Sequence, residues 1–158
     1  MLRAIALALT MVGVGIGSAQ AAGLTATQIV ERATMTVAVD GRESLTYSPA
    51  SEVQPGERVR YSLVYANDGA DAAENVDLVM PVPSEVTYLE ASVEGTTGTV
   101  LFSADAGQSF APRDDVRISD GDTTRLASAA EITHIKWQFS APIAPAATGT
   151  VSYSAVLK

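Results

Sequence analysis

The chain of 158 residues contains no cysteine, one histidine, His134, and one tryptophan, Trp137. Without thiols it can build neither a disulfide framework nor a zinc or haem site that uses Cys. A Ser-His-Asp hydrolase needs its histidine beside an activated serine, and no Gly-x-Ser-x-Gly elbow occurs anywhere in the sequence. Basic residues are also scarce, with 10 Lys and Arg against 18 Asp and Glu and a net charge of −8. That balance repels nucleic acid and anionic lipid, both of which bind through excess positive charge. No internal repeat, linker or second long apolar run follows the N-terminal one.

What is present begins with an export signal. Met1-Leu2-Arg3 is a short positively charged start, and an apolar run of small residues extends from Ala4 to Gly17 with only Thr10 interrupting it. Ala19-Gln20-Ala21 then offers an Ala-x-Ala cleavage site. The run is too short for a bilayer-spanning helix, which needs roughly 20 apolar residues. Residues 1–21 are therefore expected to be a helical signal peptide cut after Ala21, and the product to be periplasmic or extracellular without stable membrane insertion. Removal of Arg3 leaves 9 basic against 18 acidic residues, a net charge of −9, on a chain of 137 residues. That is one ordinary domain. Residues 22–33 are expected to form a leader segment, because "TATQIVERA" has helical spacing, and residues 34–158 a single domain.

The remainder alternates with a period of two. Val59, Tyr61, Leu63 and Tyr65 share one face of their segment; so do Ile135, Trp137 and Phe139, then Val151, Tyr153, Ala155 and Leu157. The same pattern sets Met35, Val37 and Val39 on one inward face, and Val76, Leu78 and Met80 on another. Such alternation, rich in β-branched and aromatic residues, signals half-buried antiparallel strands. Turn signals at Asp40-Gly41, Pro55-Gly56, Asp68-Gly69, Gly95, Gly107, Asp120-Gly121 and Gly149 separate the runs. "DTTRLASAAEI" has room for one helical turn. The expected fold is all-β, an antiparallel sandwich of two sheets with about seven to nine strands.

The order Pro55-Gly56-Glu57, Tyr61 to Tyr65, Asn67-Asp68-Gly69, Ala73-Glu74-Asn75-Val76, Pro83 and Tyr88 resembles that of the bacterial domain-of-unknown-function-eleven family. The ending "THIKWQFSAPIAPAATGTVSYSAVLK" is similar to the close of such repeats. The sequence departs in "MPVP", where many members carry an Asp-x-Leu-Pro stretch, and in having one domain where many members are tandem arrays. The resemblance implies an Ig-like fold for residues 34–158 and a secreted or cell-surface setting. It implies no activity and no catalytic residue.

Several residue sets invite chemistry. Ser103-x-Asp105-x-Gly107-x-x-Phe110 resembles the Asp box of sialidase propellers, in which these residues shape a hairpin turn. One copy, with no arginine cluster, is expected to be a turn here as well, with Phe110 returning inward and Asp105 bonding backbone N–H groups. Asp114, Asp115, Asp120 and Asp122 raise calcium, which takes six to eight oxygens, but they lack the EF-hand order and read better as solvated turn carboxylates. Glu52 and Glu57 would serve a glycosidase only at the right separation. Trp137 is expected in the core, and His134 on the wet reverse of the same strand. Tyr47, Tyr65 and Tyr88 would form a sugar-binding row only if exposed. No cofactor is expected.

The sequence thus points to an exported, non-enzymatic module with a structural, adhesive or interaction role, whose partner is protein, either itself or an envelope component. Two alternatives stay open. One is a filament or matrix subunit assembling by edge-strand addition from its last strand; the other is a small carbohydrate-binding module or carbohydrate-active domain.

Overall fold

A computed structural model describes residues 23–95 and 98–158. The signal segment, including Ala19 and Ala21, lies outside the described residues. Ten strands occur among the described residues: β1 Leu24–Val37, β2 Glu43–Pro49, β3 Arg58–Asn67, β4 Asp77–Pro81, β5 Val86–Tyr88, β6 Gly98–Ser103, β7 Arg117–Asp120, β8 Thr123–Leu126, β9 His134–Phe139 and β10 Thr148–Leu157. Single 3-10 turns sit at Arg113–Asp115 and Ala129–Glu131. The expected seven to nine strands become ten, and β7 and β8 form a separate two-stranded hairpin. All pairings between the strands are antiparallel.

Five strands make the larger sheet in the order β2-β1-β3-β10-β5, and three make the smaller, β4-β9-β6. Alternation decides which side of each strand is buried. Val59, Tyr61, Leu63 and Tyr65 from β3 join Val151, Tyr153, Ala155 and Leu157 from β10 in one hydrophobic cluster. Leu78 and Met80 from β4 and Ile135 and Trp137 from β9 complete the same cluster from the smaller sheet. Burying a large apolar side chain of this kind contributes about 1.5–3 kcal/mol. Tyr61 and Tyr153, directly opposite in register, stack with ring centroids 5.1 Å apart. The Tyr153 hydroxyl donates to the Pro81 carbonyl at 2.7 Å and so ties the larger sheet to the smaller. Tyr65 meets Phe139 edge-on at 5.2 Å. Pro81 ends β4, an outer strand of its sheet, where a missing N–H breaks no ladder.

Three expectations are corrected. "TATQIVERA" is neither a leader nor a helical turn but the body of β1, paired with β3 from Leu24↔Asn67 to Ala33↔Arg58. Its Thr, Ile and Val residues suit a strand, and pairing on both sides overrides the local helical spacing. Met35, Val37 and Val39 do not face inward: they are 53, 65 and 110% exposed. β3 ends opposite Ala33, so beyond that point β1 has only β2 beside it. Strand parity places Met35 and Val37 with Ile29 on the face opposite Val30, which packs on the core. Gly149 is no turn residue but lies within β10, opposite Tyr65, where a Cβ would come 2.2 Å from the Tyr65 hydroxyl oxygen.

Candidate functional site

The Asp-box-like stretch forms a closed turn after β6. Ser103, buried at the strand end, donates through Oγ to Asp105 Oδ1 at 2.6 Å and accepts the N–H groups of Asp105 and Gly107 at 3.3 and 3.0 Å. Asp105 Oδ1 also accepts the N–H groups of Gln108 and Ser109, at 3.1 and 3.0 Å, while Oδ2 accepts the Ser109 hydroxyl at 2.6 Å. Ala106 and Gly107 take left-handed φ angles of 60° and 81°, which reverse the chain. Phe102 and Ala111 then exchange backbone bonds and close the loop.

Phe110 does not return to the core. It is half-buried, and the Lys136 ammonium lies 4.7 Å from its ring centroid. Lys136 points to the side of β9 opposite Ile135 and Trp137, so the ring covers the outside of the smaller sheet. Parity along β9 forces this, because a residue contacting Lys136 cannot share the Trp137 side.

The fold does bring Ser103, Asp105 and His134 together, since Ser103 and His134 are register partners across β6 and β9. Their bonds run in the wrong order for nucleophile activation. Ser103 gives its proton to Asp105, while His134 Nδ1 lies 3.2 Å from Thr133 Oγ1. In a hydrolytic triad the histidine stands between serine and carboxylate. Burial lowers the His134 pKa, and the nearby Asp105 charge opposes that shift. His134 is half-buried rather than fully wet.

Hydrogen bonds hold two carboxylates, the exposed Asp105 and the half-buried Glu131, well below the usual range. For Asp105 the Ser103 hydroxyl contributes most, then Ser109; for Glu131 it is Arg125, then Ser128. Glu131 binds Arg125 at 2.7 and 2.9 Å and closes a capping box with Ser128. Both groups bind fewer protons folded than unfolded. The stability they contribute is full above their ordinary values of 3.8 and 4.5 and drains away as pH falls below them. The melting temperature is therefore expected to drop on acidification below about pH 4.5. A chain carrying Asp105→Asn and Glu131→Gln should start lower and fall less steeply in a thermal melt series. Parallel curves for the two proteins would contradict the assignment.

The acidic set is not gathered. Asp114 and Asp115 sit in a 3-10 turn, Asp120 ends β7 and Asp122 lies in the turn to β8. Among the described residues, no three His, Cys, Asp or Glu side chains come together as a metal could require. Glu57 is engaged locally, accepting the Gln54 N–H at 2.7 Å and lying 3.8 Å from Arg32, while Glu52 is exposed. Tyr65 and Tyr88 are buried, so the three tyrosines make no exposed aromatic row. The Arg60 guanidinium covers the ring of Tyr47, 3.4 Å from its centroid.

The positions matched to the family pattern are structural. Gly56, with φ 89°, donates to the Leu157 carbonyl after Pro55 and docks the turn on the end of β10. Asn67 is buried, and its Nδ2 donates to the carbonyls of Asp71 and Ile143 at 2.9 and 2.8 Å while Oδ1 accepts the Gly69 N–H. Asn75 adopts a left-handed φ of 53° just before β4. The Pro83 carbonyl accepts the Val86 N–H at the turn into β5, where Tyr88 packs 5.5 Å from Phe102.

A cavity of about 370 Å³ opens beside Tyr88, Val93, Val100 and Phe102, with Glu90 and Arg113 paired at 2.9 Å along it. Arg113 binds Glu90 through Nε and Nη2, while its Nη1 is buried with no hydrogen-bond partner among the described residues. Sequence reasoning overlooked a different feature, the outer face of β1 and β2. There Glu31 pairs with Arg60, Arg60 covers Tyr47, and Met35 and Val37 stand exposed. The signal was present in "ESLTYSP", whose Leu45 and Tyr47 alternate as a strand does. No family model, curated protein or solved structure matches the chain.

Proposed function

We propose that the chain is an exported, non-enzymatic Ig-like β-sandwich module with a structural, adhesive or interaction role in the bacterial envelope or extracellular matrix. One observation carries the interaction role. Of the five large apolar side chains exposed among the described residues, four lie on β1 and its hairpin tip: Ile29, Met35, Val37 and Val39, the other being Leu126. Apolar surface concentrated in this way marks contact with a partner more often than chance exposure does. Two antiparallel sheets sharing one core support the Ig-like reading. The wrong bonding order at Ser103, Asp105 and His134 supports the non-enzymatic one. The cleavage site after Ala21 and the surplus of acidic residues support export as a freely diffusing or assembled protein.

Because β10 lies between β3 and β5, the sheet order favours β2 over the last strand for edge-strand addition. The export and contact claims are tested together by fractionating cells that carry a C-terminally tagged copy. The expected product begins at Ala22, is found in the periplasm or medium, and sediments in part with envelope material. The double variant Met35→Ser and Val37→Ser should be exported equally yet lose that co-sedimentation. A cytoplasmic product that retains residues 1–21 would overturn the proposal.

A further inference from the structure

Hydrogen bonds at the two ends of the β1–β2 pairing fix its phase. Ala50 donates to the Val30 carbonyl at 3.2 Å and Ala38 to the Arg42 carbonyl at 2.8 Å. With the register Thr34↔Thr46, the even-numbered residues of β2 are those bonded to β1. The N–H and C=O groups of Glu43, Leu45 and Tyr47 therefore point off the open side of the larger sheet, as does the Pro49 carbonyl, which also accepts the Ser51 N–H at 3.0 Å. Among the described residues, β2 is an outer strand with no neighbour there. An unprotected strand edge of this kind is a template for another strand.

We infer that the β2 edge pairs antiparallel with β2 of a second copy of this chain, about a two-fold axis through Thr46. The inference rests on the interaction-module reading and names its partner. "ESLTYSP" is self-complementary in that register. Leu45 of each copy faces Tyr47 of the other, and both residues aim their backbone groups outward, so each pair exchanges two hydrogen bonds. Glu43 faces Pro49 of the other copy: its N–H reaches the proline carbonyl, and the missing proline N–H falls at the end of the ladder. Ser44 faces Ser48, and Thr46 faces itself.

The β2 edge is where charge opposes a second copy least. Two copies of a chain at net charge −8 repel each other over most approaches. Residues 44–49 carry no charge, and the register sets no like charges opposite each other. The rotation keeps corresponding faces on one side, so Met35, Val37 and Leu45 of both copies join in a continuous apolar stripe. An isologous contact of this type closes on itself, giving a dimer with one ten-stranded sheet and no filament.

Thr46 gives a specific test, since its side chain is exposed and stands on the axis. Sedimentation equilibrium of the exported chain should show a concentration-dependent dimer. Thr46→Lys alone and Thr46→Glu alone should each weaken it about fivefold or more, through like charges placed opposite each other. An equimolar mixture of the two variants should restore it, an outcome that a folding defect cannot imitate. A chain that remains monomeric throughout, or a dimer indifferent to both substitutions, overturns the inference. If the monomer still sediments with envelope material, only this inference fails; if it loses that as well, the interaction-module reading fails too.

Discussion

Replacing Trp137 by alanine is expected to cost about 3–5 kcal/mol of folding stability and to lower the melting temperature by roughly 10 °C or more. The residue sits on the middle strand of the smaller sheet and is among the largest side chains that are almost wholly buried. It is register partner to Leu78 on one side and Val100 on the other, so the cavity left behind would reach all three strands of that sheet. Its indole Nε1 is buried and has no hydrogen-bond partner among the described residues. An unsatisfied buried donor costs about 1–3 kcal/mol, so Trp137→Phe removes a penalty as well as volume. The phenylalanine variant should therefore lose less than half of what the alanine variant loses. Urea denaturation of the three proteins, with unchanged slope, checks both numbers. Equal losses for phenylalanine and alanine would contradict both the packing role and the cost assigned to the unpaired indole N–H.

The second large effect is expected at Asn67, which is 1% exposed. Its side chain holds the Asp71 and Ile143 carbonyls and the Gly69 N–H, while its own backbone bonds Ala146 and Ala147. One amide thus fastens the loop after β3 to the segment before β10. Asn67→Ala removes three hydrogen bonds at once and leaves the Ile143 carbonyl with only the Ala73 N–H, a loss of about 2–4 kcal/mol. Asn67→Asp keeps the acceptor for Gly69 but loses both donors, and a buried unpaired charge should make it no better than alanine. Hydrogen exchange gives the direction of failure. Amides of Ile143 and Ala146 should lose protection before those of Leu63 and Val151, because the loops open before the core does.

These sites differ in how far the sequence reveals them. Alternation placed Trp137 in the core and β3, β9 and β10 in antiparallel sheets, because a period of two directly encodes a buried side. The turn at Ser103 was legible for a similar reason, since Ser, Asp and Gly at that spacing satisfy their own local backbone. Asn67 was visible as a turn residue but not as a clasp, because Ile143 lies 76 residues away in sequence. The errors share a cause. Period alone does not say which face is covered, so Met35 and Val37 were assigned to a core that stops opposite Ala33. Phe110 was assigned inward although β9 offers it only the Lys136 side. The helical spacing of "TATQIVERA" gave way to two strands of pairing partners that no local window contains.

The core is closed, while the β2 edge, with no strand beyond it among the described residues, stands open. Residue-resolved hydrogen exchange on the dilute, monomeric protein tests this most directly. The expected pattern along β2 alternates: the amides of Ser44, Thr46 and Ser48, bonded to β1, are protected, and those of Glu43, Leu45 and Tyr47 exchange freely. At high concentration the Leu45 and Tyr47 amides should become protected as the edge is filled. Uniform protection along β2 in the dilute protein, or an alternation of the opposite phase, would contradict the claim.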